Sequence, residues 1–436
     1  MSDSAVSCQK NRYLDFMNYL VACPAFLRSF QDAVKQLEAV FPSRYRRSFE
    51  ANALKTTIKH HCVQCIGSKN RLLLITGGRL CAMLARRLLC LNGECAVRKY
   101  DTLGLGTRIL SRRHFFSNLS ATYVEGHSSS VWSVAFHPTA PLVATGSFDC
   151  TVKLWLLSSD NSSATCVATL EGHTSLVCSV AFHPTAPLLA TGSGDNTVKL
   201  WLLSSDNSSA TCVATLEGHS SHVSSVAFHR TAPLLATGSN DNTVRLWLLS
   251  SDNLSATCVA TLAGVHSIYV SSVAFHRTEP LLATCGSYDN TAKLWLLSSD
   301  NSSATCVATL EGHSSGVNSV AFHPTAPLLA TGSSDNTAKI WQISSDYSSA
   351  TCVATLEGHI DHVTSVAFHN TELLLATGGS YDDMTVRLWR FEHDGSMPSC
   401  VATLAGHSGP VQSVAFDPTA PLVATGSSDN TIGLWC

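Results

Sequence analysis

Residues 172–216 read GHTSLVCSVAFHPTAPLLATGSGDNTVKLWLLSSDNSSATCVATL, and the fold follows from how this stretch is punctuated. Val177 to Phe182 alternates as a strand does, then stops at His183-Pro184-Thr185-Ala186-Pro187, a turn that no helix tolerates. Leu188 to Gly192 is a second strand, and its consecutive apolar residues suit burial on both faces. Ser193-Gly194-Asp195-Asn196 makes a tight turn and Thr197 to Trp201 a third strand. After Ser204-Ser205-Asp206-Asn207 a fourth runs from Thr211 to Leu216. Four short antiparallel strands form one compact unit.

The unit recurs. A Gly-His pair or its variant places His127, His173, His219, His266, His313, His359 and His407. A tryptophan closes each unit: Trp155, Trp201, Trp247, Trp295, Trp341, Trp389 and Trp435. Successive tryptophans stand 46 or 48 residues apart, just above the roughly 40–45 of a four-stranded propeller blade. Seven units predict an all-β, seven-bladed propeller over residues 119–436, preceded by a small, mainly helical region over 1–118.

On these residues the segment from Leu119 to Cys436 resembles the WD-repeat (WD-40 type) family. The resemblance implies that in each blade a His before the first strand, a Thr on the second, an Asp in the next turn and the closing Trp bond in series. Five quartets match: His127, Thr145, Asp149 and Trp155; His173, Thr191, Asp195 and Trp201; His219, Thr237, Asp241 and Trp247; His313, Thr331, Asp335 and Trp341; His407, Thr425, Asp429 and Trp435. Such a series satisfies a buried imidazole, carboxylate and indole N–H together. Taken singly, His173, Thr191 and Asp195 mimic a hydrolytic triad. Seven copies around a ring cannot all be active sites, so the quartets are structural and no enzyme is expected.

Three departures from the family pattern bear on the reading. The Asp that usually follows the closing Trp is replaced by Leu156, Leu202, Leu248, Leu296, Gln342, Arg390 or Cys436. No unit has the Trp-Asp-x-Arg stretch by which receptors of cullin-type ubiquitin ligases resemble one another, which weighs against the alternative of a ligase substrate receptor. Units four and six carry extra residues: Val265, Cys285, Gly379 and Asp382-Asp383. Val265 splits Gly264 from His266, whereas Cys285 and Gly379 with Asp382-Asp383 read as lengthening the second strands; such insertions predict bulges and put the bonded series of both blades in doubt.

The seventh unit stops one residue after Trp435 without a fourth strand. Asn118-Leu119-Ser120-Ala121-Thr122 matches a fourth-strand entry, Asn253-Leu254-Ser255-Ala256-Thr257. Leu119 to Val124 is therefore expected to close the ring, through a seam weakened by a short strand.

Comparison among the units locates the variable surface. Framework positions are nearly copied, while three sets of positions differ. Phe148, Gly194, Asn240, Tyr288, Ser334, Tyr381 and Ser428 precede the turn Asp. Ser130, Leu176, His222, Tyr269, Gly316, His362 and Pro410 follow Gly-His. Trp132, Cys178, Ser224, Ser271, Asn318, Thr364 and Gln412 begin the first strand. All three sets are expected in loops at one rim, the face that WD-repeat proteins commonly use to hold peptides. Trp132, Phe148, Leu176, His222, Tyr269, Tyr288, His362 and Tyr381 are the candidate partner contacts.

The remaining composition bounds the rest. Net charge is -3, but 19 Lys/Arg face 7 Asp/Glu before Leu119, and 9 face 24 from there on. In residues 1–118, helices are expected from Tyr13 to Leu20, Ala25 to Val40 and Arg79 to Leu91, broken by Pro24 and Pro42. Their basic character allows contact with nucleic acid or an acidic membrane as an alternative role. His60, Cys62 and Cys65 form a metal-like cluster without a matching second pair, so no metal or other cofactor is assigned, and no small-molecule substrate. Cys166, Cys212, Cys258, Cys306, Cys352 and Cys400 recur once per unit and are expected as small buried hydrophobes in a reducing compartment. No secretory leader or spanning helix is legible, so the chain is read as intracellular, cytoplasmic or nuclear. The sequence thus points to a non-enzymatic scaffold that binds a protein or peptide partner on its rim.

Overall fold

A computed structural model of the chain describes residues 121–391 and 397–436. Among the described residues twenty-eight strands, β1 to β28 in chain order, form seven four-stranded antiparallel sheets. In the first blade β2 (Val131–Phe136), β3 (Leu142–Ser147), β4 (Val152–Leu157) and β5 (Ala164–Leu170) pair in sequence order. Five more blades repeat that meander. The seventh is assembled from both ends of the described segment. Its β26 (Val411–Phe416), β27 (Val423–Ser427) and β28 (Thr431–Trp435) take β1 (Ala121–Glu125) as the outermost strand, with Ala121 opposite Trp435 and Glu125 opposite Thr431. First strands of adjacent blades lie against one another, β2 against β26 included, so they surround one axis.

The core lies between blades rather than within them. Every residue of β3 is buried, and so is every residue of the second strand in most other blades. Leu142, Leu154 and Leu170 of blade one pack on Val177, Leu189 and Trp201 of blade two. The same pattern runs round to Leu422 and Leu434 of blade seven against Val131, Val143 and Trp155 of blade one. Each fully buried Leu or Val contributes about 1.5–3 kcal/mol, repeated at every seam. Gly146 marks the closest approach: a Cβ there would fall 2.7 Å from Val177 Cγ1 of the next blade. Blade four places Cys285 at this register, fully buried. Burial pushes its thiol well above the usual value, so it acts as packing.

Two kinds of bulge recur. Between third and fourth strands the register shifts at the tryptophan, as at Leu154/Trp155. Between first and second strands it shifts around the second residue, leaving Trp132 between Val131 and Ser133. The third variable set therefore occupies bulges of the innermost strands, not loops. Several of its members tie neighbouring blades: Asn318 donates to Val363 O at 3.0 Å, and Ser224 and Thr364 donate to the carbonyls of Val270 and Val411.

The turn between first and second strands has its own chemistry. His137 Nδ1 accepts the amides of Thr139 at 3.2 Å and Ala140 at 2.9 Å, so that nitrogen carries no proton. His183, His229, His276, His323 and His369 repeat the arrangement. In blade seven Asp417 Oδ1 takes over, accepting from Thr419 and Ala420. Each of these six imidazoles stands edge-on to a phenylalanine of the following blade, with ring centroids 4.9 to 5.0 Å apart.

Several expectations need correction. The six recurrent cysteines are exposed free thiols rather than buried hydrophobes. They lie on fourth strands, the outer edge of each blade, where no further sheet covers them. The extra residues of blades four and six do not lengthen the second strands, which keep six residues with Cys285 and Gly378 in the usual register. Val265 lies in the loop before the first strand, and the other extra residues lengthen the turns after the second strands, where a longer loop leaves the ladder undisturbed. The closing strand runs from Ala121 to Glu125; Leu119 lies outside the described residues. The helices expected over 13–20, 25–40 and 79–91, and the cluster of His60, Cys62 and Cys65, also lie outside them.

Closure uses a matched pair of departures. Where other blades have a Lys or Arg on the third strand, blade seven has Gly433, and opposite it stands Tyr123. The Tyr123 ring lies edge-on to His407 at 5.1 Å and to Trp435 at 5.9 Å. A Cβ on Gly433 would come within 2.6 Å of Thr425 Oγ1, and one on Gly406 within 2.1 Å of the Tyr123 hydroxyl. Replacing Tyr123 by Thr is expected to lower the unfolding free energy by about 1–2 kcal/mol, whereas Thr169→Ala at the same place in blade one should change it by less than about 0.5. Urea unfolding of the full chain checks both.

In the turn after the second strand, Asn196, Asn242, Asn336 and Asn430 adopt φ near +70°, and blade one puts Cys150 there at φ 69°. Asparagine tolerates this left-handed conformation better than cysteine. Cys150→Asn is expected to raise the thermal midpoint, through a gain of about 0.5–1 kcal/mol.

Candidate functional site

The loops leading from Gly-His into the first strand and the turns between second and third strands share one rim. Backbone bonds hold them together: Phe148 N donates to Ser130 O, Gly194 N to Leu176 O, Asn240 N to His222 O and Ser334 N to Gly316 O. Beneath this rim stand the bonded series. In all seven blades a histidine Nδ1 lies 2.7–2.9 Å from the turn aspartate. Its Nε2 lies 2.6–2.9 Å from the threonine hydroxyl, to which the tryptophan Nε1 donates at 2.8–3.0 Å.

Blades four and six keep the series despite their longer turns, through His266, Thr284, Asp289 and Trp295 and through His359, Thr377, Asp383 and Trp389. The extra residue has a local consequence in blade four. Thr151 donates to Asp149 at 2.6 Å, but the equivalent Thr291 hydroxyl is buried without a partner. Asp289 is also more exposed than its counterparts.

Proton positions follow from chemistry. An ionised carboxylate only accepts, so histidine Nδ1 carries the ring proton, Nε2 accepts the threonine O–H, and the threonine oxygen accepts the indole N–H. Burial holds His127 and its six counterparts below the usual imidazole value, the facing carboxylate only partly opposing it. Burial would raise Asp149, but hydrogen bonds from Thr151 and His127 outweigh it and hold the carboxyl at about 2. Asp195, Asp241 and Asp335 are likewise held at about 2. Each series is thus a neutral imidazole beside a charged carboxylate. Its hydroxyl is already engaged on both sides, and the threonine is fully buried.

Above the series the aromatic variable residues face outward. Trp132 and Phe148 meet edge-on at 5.0 Å in blade one, and Tyr269 and Tyr288 at 5.5 Å in blade four. Among the described residues Tyr288 and Tyr381 are the most exposed aromatic ones, at 63% and 68%. His222 and His362 are exposed and Leu176 is half-buried. Of the six exposed aromatic residues among the described ones, five stand on this rim, and the sixth is Tyr123 on the closing strand. Cys178 of the third set is no reactive thiol, because burial pushes it up to about 12.

Ile268 and Ile360 also belong to this surface, at 40% and 68% exposure. Sequence comparison passed over them, although each replaces a small polar residue at its repeat position. Among the described residues no helix is long and apolar enough to cross a membrane, and no cluster of side chains is suited to hold a metal ion.

Comparison with protein families gives seven consecutive matches to the model of the WD domain, G-beta repeat. They cover residues 118–155, 164–201, 210–247, 256–295, 304–342, 350–390 and 398–436.

The protonation pattern predicts a pH dependence. The series histidines and the six turn histidines sit below their ordinary 6.5 through burial. Their contribution is complete above pH 6.5 and is lost as pH falls below it. The aspartate contribution, complete above 3.8, is lost towards 2. Both act in one direction, so thermal midpoints of the full chain should fall continuously from pH 7 through 5. A midpoint flat across that range would contradict neutral imidazoles.

Proposed function

The chain belongs to the WD-repeat family, and from that premise we propose that its inner loop rim is the docking surface for a peptide or protein partner, the chain itself being a non-catalytic scaffold. Propellers of this family are a common protein-interaction fold and generally lack catalysis of their own. The observation that carries the reading is the concentration of exposed aromatic side chains on this one rim. Their framework neighbours hardly vary from blade to blade, so the chain differs from itself mainly where a partner would touch it. Aromatic residues suit this role because they bury large area on contact at little conformational cost. Among the described residues the repetition of the polar constellation supports the scaffold reading. Each His, Asp and Thr constellation is one of seven saturated copies, whereas catalysis needs a group free to exchange protons or attack.

The test is proximity labelling by the full chain, compared with a chain carrying Trp132→Ala, Phe148→Ala, Tyr269→Ala and Tyr381→Ala. These side chains are exposed, so thermal midpoints should hold within a few degrees. The expected result is loss of partner labelling by about tenfold or more. Unchanged labelling would remove the rim from consideration.

A further inference from the structure

The only two blades with lengthened turns stand on either side of blade five. The turns after the second strands, over 287–291 and 380–385, carry Tyr288 and Tyr381. Between them blade five presents Ser315, Gly316 and Ser334, so its rim is low. The blade-four turn leans onto this floor: a Cβ on Gly316 would lie 1.8 Å from Ser287 O, which leaves glycine as the residue that fits. On the far side Asn336 Nδ2 donates to Ile360 O at 3.3 Å, tying the floor to blade six. Two aromatic walls thus border a shallow floor of small residues.

The charge of this region is one-sided. The inner-rim loops and turns of all seven blades contain no lysine or arginine, while every blade has an aspartate there. The third-strand cations already have partners: Lys339 donates to Thr355 Oγ1 of the fourth strand, while Lys293 and Arg245 donate to the loop carbonyls of Val265 and Gly218. The series aspartates face neutral imidazoles, so their charge is not cancelled by the groups they bond. Asp361 and Asp382 add two further carboxylates on the blade-six wall, where Asp382 N donates to Asp361 Oδ2 at 3.2 Å. Convergent carboxylates beside exposed tyrosine faces favour a cation, by field and by cation–π contact.

We propose that the lengthened turns of blades four and six form a clamp across blade five that grips an arginine- or lysine-rich peptide segment. This rests on the rim being a docking surface, and it names the partner's chemistry and the blades that read it. An extended cationic segment fits because the walls stand a blade apart and the floor has no bulky side chain to lift the backbone away. Guanidinium groups stack on the tyrosines and reach the aspartates.

The test is fluorescence anisotropy of the full chain with a short fluorescein-labelled peptide alternating Arg and Ser, against its analogue with Gln at every Arg. The Arg peptide should bind and the Gln peptide should not, and binding should weaken as salt rises. Tyr288→Ser with Tyr381→Ser should weaken it about tenfold. Asp361→Asn with Asp382→Asn should weaken it about threefold. Leu248→Ser, away from this rim, should leave it unchanged. Equal binding of the two peptides, or binding indifferent to the tyrosine pair, overturns the clamp. If rim variants still abolish proximity labelling in that event, only the cationic chemistry falls. If labelling is also unchanged, the docking surface falls with it.

Discussion

The structure depends on a blade being apolar on both faces. A four-stranded sheet with a fully buried second strand has no stable existence alone, because each face exposes Leu, Val and Trp side chains that only another blade covers. Stacking solves the problem for interior blades and creates it again at each end, so the array has to close. Closure then requires the last blade to be finished by a strand from the other end, and β1 supplies it. From this one constraint follow the seven seam cores, the glycine at the closest approach and the confinement of polar groups to the two rims.

A buried polar group in such a core has to be satisfied in place, and the blade does so twice. Near one rim the His, Asp, Thr and Trp series locks the incoming loop to the second-to-third turn. Near the other, an imidazole or carboxylate accepts the amides of the tight turn. Asp417 replacing histidine in blade seven shows what the position requires: an acceptor aimed at two backbone N–H groups, with charge and ring secondary. Because both devices use unprotonated acceptor atoms, the neutral imidazole is a condition of the fold.

The blade count, the strand order and the series were legible because they rest on local punctuation repeated seven times. Trp spacing, the His-Pro-Thr-Ala-Pro turn and the buried Leu-Leu-Ala-Thr run each have one structural solution. What escaped was set by neighbours in space. Cys212 sits among strand-forming residues and reads as core, yet it faces solvent because the fourth strand has nothing beyond it. The extra residue of blade four resembles a strand insertion, but pairing of Cys285 with Ala292 fixes the register and sends the surplus into the turn. Trp132 looks like a loop residue, while the bulge that turns it outward is defined only by pairing with Gly146 and Ser147.

Near-identical blades raise a difficulty of their own, since any fourth strand has nearly the right sequence for any third strand. A ring of seven equivalent partners would tolerate slipped and intermolecular closures. Blade seven differs in the one place where this matters. Gly433 leaves space that a lysine fills elsewhere, and Tyr123 occupies it across the seam, over His407 and Trp435. A threonine-bearing fourth strand would leave that space empty, and β1 placed in another blade would drive its tyrosine against a lysine or arginine. The closing pair of strands is short, and the blade it completes has Asp417 in place of the imidazole that elsewhere meets the next blade's phenylalanine, yet it is the one strand pair whose partners recognise each other. Specificity here comes from breaking the repeat at a single pair of facing residues. The lengthened turns of blades four and six break it a second time, at the rim, where a difference changes what the surface presents and leaves the ring intact.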